Sequence, residues 1–294
     1  MSATLRTAGL FLVLTAIFVG FGWVIGTVFF GDWLTTVVLF LLLAAAMNLV
    51  SYFFSDRIVL MSYRARAVTE AEAPALYRVV RRVADLNGLP MPRVYVIPTP
   101  TPNAMATGRN PKHAVVAVTE GAFRVLNERE LTGVIAHEMA HVRDRDILVM
   151  SVAATIAGAL SLLARMAFWS SLFGGGGRNR NDNGLLYIVA ILGLVLVPFA
   201  VLLLQLGVSR SREYKADREG ARTLGAPDAL ADALEQLEYR NRQNPIAFGS
   251  PSSSGLWIVN PFRGSWFANA FSTHPPIDER VKKLRLLARG QDTY

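Results

Sequence analysis

Four stretches of this chain carry no charged side chain: Ala8–Phe30, Leu34–Phe54, Ile147–Ala164 and Leu185–Val208. Nothing else in the sequence restricts the fold as strongly. A helix needs roughly 20 apolar residues to cross a bilayer core, so each stretch reads as a candidate span; the third runs on past Arg165 to Phe173. A soluble domain averages about 25% charged residues, whereas this chain has 18% with 52% hydrophobic residues. The first stretch is longer than a signal-peptide core, and Gly31–Trp33 leads straight into the second, which favours a retained hairpin. The chain has no cysteine, which excludes disulfides and thiolate metal ligands.

The net charge is +8, but the basic residues sit beside the spans. That suits anionic lipid headgroups and argues against nucleic acid as a partner. Arg57, Arg64 and Arg66 follow the second span, Arg143 and Arg145 precede the third, and Arg210, Arg212, Lys215 and Arg218 follow the fourth. This larger group marks the cytoplasmic face. The expected architecture is therefore a mainly α integral membrane protein with four transmembrane helices. It alternates between a hairpin at 1–54 (spans 8–30 and 34–54), a cytoplasmic part at 55–146, a second hairpin at 147–208 (spans 147–170 and 185–208) and a second cytoplasmic part at 209–294.

The soluble parts read as α+β with a small sheet. Thr69 and Glu72 predict a capping box opening a helix that ends at Gly88, with Leu76, Val79, Val80 and Val83 on one face. Arg93–Pro98 and His113–Val118 read as strands, and Asn103–Gly108 as extended. Asn127 and Glu130 form a second capping box. Helices are expected at Arg212–Leu224, Pro227 to about Arg240 and Pro276–Ala288. Gly174–Gly177 reads as a loop outside the membrane, and 241–273 as irregular, a length that is usually functional or mobile.

Two of the four histidines fall in the helix begun by Asn127, in the sequence His137-Glu-Met-Ala-His141. Residues four apart share a helix face, so both rings can address one metal ion, zinc above all. Glu138 is placed to serve as general base toward a water at that ion. A catalytic zinc keeps three protein ligands and an open position. Glu213 is the best third candidate, because a two-span hairpin returns the chain to the membrane face it left. The bland alternative makes it a surface carboxylate among arginines. Asp217, one turn on, can orient a ligand histidine through its other nitrogen. His113 has no surrounding motif and reads as a histidine without a functional role.

These motifs together are similar to the HtpX family of membrane zinc endopeptidases. The likeness rests on AHEMAHV (136–142), SRSREYKAD (209–217), NAMATG (103–108) and HPP (274–276), and with the span layout it covers nearly the whole chain. The CAAX prenyl proteases share the zinc motif but usually carry more spans. The resemblance implies a zincin-like catalytic domain, one Zn2+ per chain on His137, His141 and Glu213, and quality-control cleavage of damaged membrane proteins. It places the active site at the cytoplasmic face of the bacterial inner membrane. It offers His274 as a donor to the reaction's oxyanion, against the alternative of a residue that only packs beneath the loop. It also makes Asn103, Ala104 and Met105 part of an edge strand on which an extended polypeptide substrate could lie. The competing function class is a membrane scaffold or channel with a structural metal site; a transporter would need ionisable residues inside its spans. The sequence sets neither a substrate nor an oligomeric state.

Overall fold

A computed structural model describes residues 3–173, 210–262 and 274–292. The fourth expected span, the 174–177 loop and residues 263–273 lie outside the described residues.

The chain opens with α1 (Ala3–Ile25), a short π-turn (Gly26–Phe30) and α2 (Trp33–Ser62). Gly31 takes a left-handed φ of 66°, open to glycine without steric cost, and Asp32 caps α2 by accepting from the Thr35 amide at 3.1 Å. The two helices pack as a hairpin. Leu12, Leu39 and Leu42 point away from the protein and stay open. An uncovered apolar band of this size on two long helices is what lipid covers. Among the described residues, Thr4–Val28 and Trp33–Ser62 are each long and apolar enough to cross a membrane.

A four-stranded sheet follows, in the order β1-β2-β4-β3, from β1 (Arg66–Ala67), β2 (Arg93–Ile97), β3 (Ala104–Thr107) and β4 (Val115–Thr119). β2 and β4 are parallel, while β3 runs antiparallel to β4 at the edge. Helix α3 (Pro74–Leu86) precedes β2, and a short α4 (Glu120–Val125) follows β4. The expected box at Thr69 does form: Thr69 N donates to Glu72 Oε2 at 2.6 Å. It closes a turn, however, and α3 begins only at Pro74. Proline is pre-organised for a helix's first turn and lacks the N–H that turn cannot use, so it sets the boundary.

Successive residues of β4 point to opposite faces, and both faces are buried. Val116 and Val118 join Val79, Val83, Ile135, Met139, Leu234 and Leu284 in one core. Val115 and Ala117 join Met105, Leu14, Tyr63, Ile156 and Trp257 in another. The sheet thus lies between a helical layer on one face and the apolar helices on the other.

Helix α5 (Glu128–Arg143) carries both motif histidines and is buried from Glu130 to Val142. Its capping box is complete: Glu130 N donates to Asn127 Oδ1 and Asn127 N to Glu130 Oε2. Arg145 adopts φ 59°, and beyond it α6 (Asp146–Phe173) leaves at 89° to α5. The third expected span is therefore helical through its described length. After the undescribed stretch come α7 (Arg210–Leu224), α8 (Pro227–Gln243) and α9 (Ile277–Ala288), within a few residues of the sequence expectations. The stretch expected to be irregular holds a 3-10 turn at Pro251–Leu256, which packs on α6.

Candidate metal centre

Glycine sets how closely the two functional helices approach. A Cβ on Gly220 of α7 would sit 2.8 Å from the His137 backbone nitrogen on α5. At that separation, residues one and two turns before Gly220 stand beside the histidines. Glu213 Oε2 lies 3.6 Å from His137 Nε2, and Glu213 Oε1 lies 3.4 Å from His141 Nε2. One donor atom from each of the three side chains falls within 4.8 Å of the others. The rings stand edge to face at 4.9 Å between centroids.

All three side chains are buried. Glu213 Oε1 has neither solvent nor a hydrogen-bond partner, which for a carboxylate oxygen is costly unless a cation relieves it. Burial works against its charge, but the His274 and His141 rings outweigh that and hold the carboxyl well below its ordinary range. Burial likewise opposes a charge on His141, yet Glu213 and Asp146 beside it raise its pKa to about 10. Two imidazoles and a carboxylate in a pocket that attracts positive charge form the donor set of a catalytic zinc site. The residues present fit that metal.

Support lies immediately behind. His137 Nδ1 is 2.9 Å from Asp217 Oδ1, so this nitrogen bears the proton and Nε2 turns its lone pair to the site. Asp217 is held in turn by Arg280 of α9, whose Nε and Nη2 donate to its two oxygens at 2.8 and 2.7 Å. Arg280 Nη1 also donates to the Ile258 carbonyl at 2.8 Å. The sequence reading missed Arg280. Its arginine in an Asp-Glu-Arg run reads as solvated, although its side chain is fully buried.

Glu138 points to the sheet, and Ala106 N donates to its Oε2 at 2.7 Å. Burial pushes its carboxyl pKa up, in the direction a general base operating near neutrality needs. Of the expected substrate residues, Ala104 and Met105 lie on the edge strand and Asn103 directly before it, and the outward groups there are largely engaged. Ile258 N donates to Ala104 O at 3.1 Å, Asn103 Nδ2 to Val259 O at 2.6 Å, and Ala104 N to Asn103 Oδ1 at 3.0 Å. Met105 is fully buried and bridges to Trp257. The segment 257–259 therefore covers the edge where a substrate strand was expected. His274 places Nδ1 3.0 Å from Glu213 Oε2 and Nε2 3.3 Å from Ser254 O. With both nitrogens occupied, the ring steadies Glu213; reaching an oxyanion would require it to turn. His113 lies exposed beside Asn110 and Arg109, away from the cluster.

Comparison with known proteins agrees with this geometry. Residues 70–288 match the model of Peptidase family M48. The chain is 49% identical over 286 residues to a Protease HtpX homolog of Syntrophobacter fumaroxidans, covering 97% of this chain and 99% of the relative. A Protease HtpX homolog of Thermococcus kodakarensis is 49% identical over 290 residues, covering 99% and 98%. In fold the chain is similar to the crystal structure of S. mikatae Ste24p, with TM-score 0.50 and 19% identity, covering 96% of this chain and 65% of that one. A family match over most of its length and near-complete relatives at this identity make the chain a member of peptidase family M48, among the HtpX-type metalloproteases.

Proposed function

We propose that the chain is a multi-pass zinc endopeptidase of the plasma membrane. Its substrates are damaged or misfolded membrane proteins, and its catalytic parts, 55–146 and 209–294, face the cytoplasm. One observation carries the reading: His137 and His141 converge on the buried Glu213, whose Oε1 has no hydrogen-bond partner, while Glu138 stands directly after His137 on the same helix. A structural metal site has no use for that adjacent base. The return of the chain to a single face is supported by the contact between Arg6, at the start of α1, and Asp146, at the start of α6.

His137, His141 and Glu213 would hold the zinc, and Asp217 keeps His137 in the ligating tautomer. Bound there, the ion would supply Lewis acidity toward water and the scissile carbonyl. Glu138 takes a proton from the attacking water and gives it to the leaving amine. Its bond to Ala106 N fixes it beside the edge strand, so a peptide lying along β3 would present its carbonyl near the base. That pose requires segment 257–259 to withdraw from Ala104.

The test compares wild type with Glu138→Gln in detergent, for zinc content and for cleavage of an unfolded membrane protein. Wild type should carry one zinc per chain and cleave; the variant should keep the zinc and lose about 100-fold or more in rate. Undiminished cleavage by the variant would end the mechanism.

A further inference from the structure

His141 also has a carboxylate behind it, at ion-pair distance and without the hydrogen bond that joins His137 to Asp217. Asp146 Oδ2 lies 3.6 Å from His141 Nδ1, while Nε2 of the same ring faces Glu213. The other Asp146 oxygen, Oδ1, is engaged by two guanidinium groups. One is Arg212 of α7, directly before Glu213; the other is Arg6 of α1, whose Nη2 donates at 2.7 Å. The Arg6 and Asp146 side chains are only 11% and 4% exposed. With Oδ1 held, Oδ2 is left for the imidazole.

Each metal-facing histidine is thus backed by a carboxylate, and each carboxylate by arginine. The sources differ. Arg280 comes from the C-terminal helix within the family match, whereas Arg6 comes from the first apolar helix, outside residues 70–288. That helix is also packed on α6: Leu10 and Leu14 share a core with Val149, Val152 and Ala153. Packing fixes the height of Arg6 against Asp146, and the ion pair carries that placement to the ring.

We propose that Arg6 is a positioning residue of the metal centre. Through Asp146 it keeps a carboxylate poised 3.6 Å from the unpartnered His141 Nδ1, near enough that a small turn of the ring makes the bond that sets its tautomer, and this makes the first membrane helix a working part of zinc binding as well as an anchor. The inference rests on the zinc reading of His137, His141 and Glu213. A carboxylate that hydrogen-bonds a ligand histidine sets which nitrogen carries the proton, and losing such a partner typically weakens metal binding about 10–100-fold. Arg212 remains when Arg6 is changed, so the loss from Arg6 lies at the low end of that range and the loss from Asp146 at the high end.

The experiment uses the full chain in detergent, as wild type, Arg6→Gln, Arg6→Lys, Asp146→Asn and Leu10→Ala. Zinc affinity is measured by competition with a chromogenic chelator, and ligand geometry by the visible spectrum after Co2+ substitution. Arg6→Gln should weaken zinc about tenfold and shift the cobalt bands, and Asp146→Asn should approach a hundredfold. Arg6→Lys should restore most of the affinity. Leu10→Ala should lower the thermal unfolding temperature and weaken zinc far less than Arg6→Gln, because Leu14 still holds α1 on α6. Wild-type affinity and spectrum in Arg6→Gln would overturn the proposal. So would Leu10→Ala weakening zinc as much as Arg6→Gln, because helix packing alone would then explain the effect. A wild type that takes up no zinc would sink the metal reading itself, and this inference with it.

Discussion

Arg280→Met isolates what one fully buried ion pair contributes. Arg280 is fully buried and makes two bonds to Asp217 and one to Ile258 O. Methionine fills much of the same stem volume, but it leaves the Asp217 carboxylate buried with only His137 for company. Removing one half of a buried pair costs about 3–5 kcal/mol, largely from the charge left behind. At about 2–4 °C per kcal/mol, the unfolding temperature of the metal-free protein in detergent should fall by roughly 10 °C. The double variant Arg280→Met/Asp217→Leu removes both charges and should recover most of that loss. It should still bind zinc about 10–100-fold more weakly, because His137 has lost the acceptor that fixes its tautomer. Stability and metal affinity thus separate across the pair. An Arg280→Met protein within about 1 kcal/mol of wild type would refute the buried-pair argument, and a double variant with wild-type zinc affinity would refute the role given to Asp217.

Other consequences are equally direct. Gly220→Val should force α5 and α7 apart, since even a Cβ would meet the His137 nitrogen at 2.8 Å; zinc content should fall further than global helicity by circular dichroism. Asn103→Ala removes two of the bonds that pin segment 257–259 to the edge strand, both to Val259; the Ile258 amide, still bonded to Ala104 O, should exchange with deuterium faster while α9 amides stay protected. Burial opposes the Asp217 charge, but Arg280 outweighs it and holds the carboxyl below its ordinary value of 3.8. A depressed carboxylate stabilises above its unfolded pKa and loses that contribution as pH falls through the folded one. Metal-free wild type should therefore keep this increment at neutral pH and lose it below about pH 4, while Asp217→Asn should show a flatter acid limb in thermal unfolding.

Much of the site is legible in the sequence because its signals are local. The histidine pair follows from helical spacing, and the helix itself from the Asn127–Glu130 box. Glu213 and Asp217 are offered as candidates by their spacing on one helix after an apolar hairpin, and the HtpX resemblance is what singles out Glu213 as the third ligand. The missed residues owe their roles to long-range geometry. Asp146 ends a run of alternating charge, Arg143-Asp-Arg-Asp146, that resembles a solvated face; only the 89° corner after the left-handed Arg145 turns it back onto His141. Arg280 is buried by the docking of α9 on α7 and α8, which no local pattern announces. The edge strand was found, but its covering segment lies about 150 residues away, and non-local strand pairing leaves no periodic trace. At Thr69 the box was real while the helix start was not, because Pro74 sets the first turn.

The zinc centre of His137, His141 and Glu213 is read most directly by zinc X-ray absorption on wild type and Glu213→Gln. Wild type should show one zinc per chain with two imidazole nitrogens at about 2.0–2.1 Å and protein carboxylate oxygen at about 2.0–2.2 Å, and Glu213→Gln should lose that oxygen with most of the metal. A wild-type spectrum without histidine scattering, or one unchanged in Glu213→Gln, would contradict that ligand set.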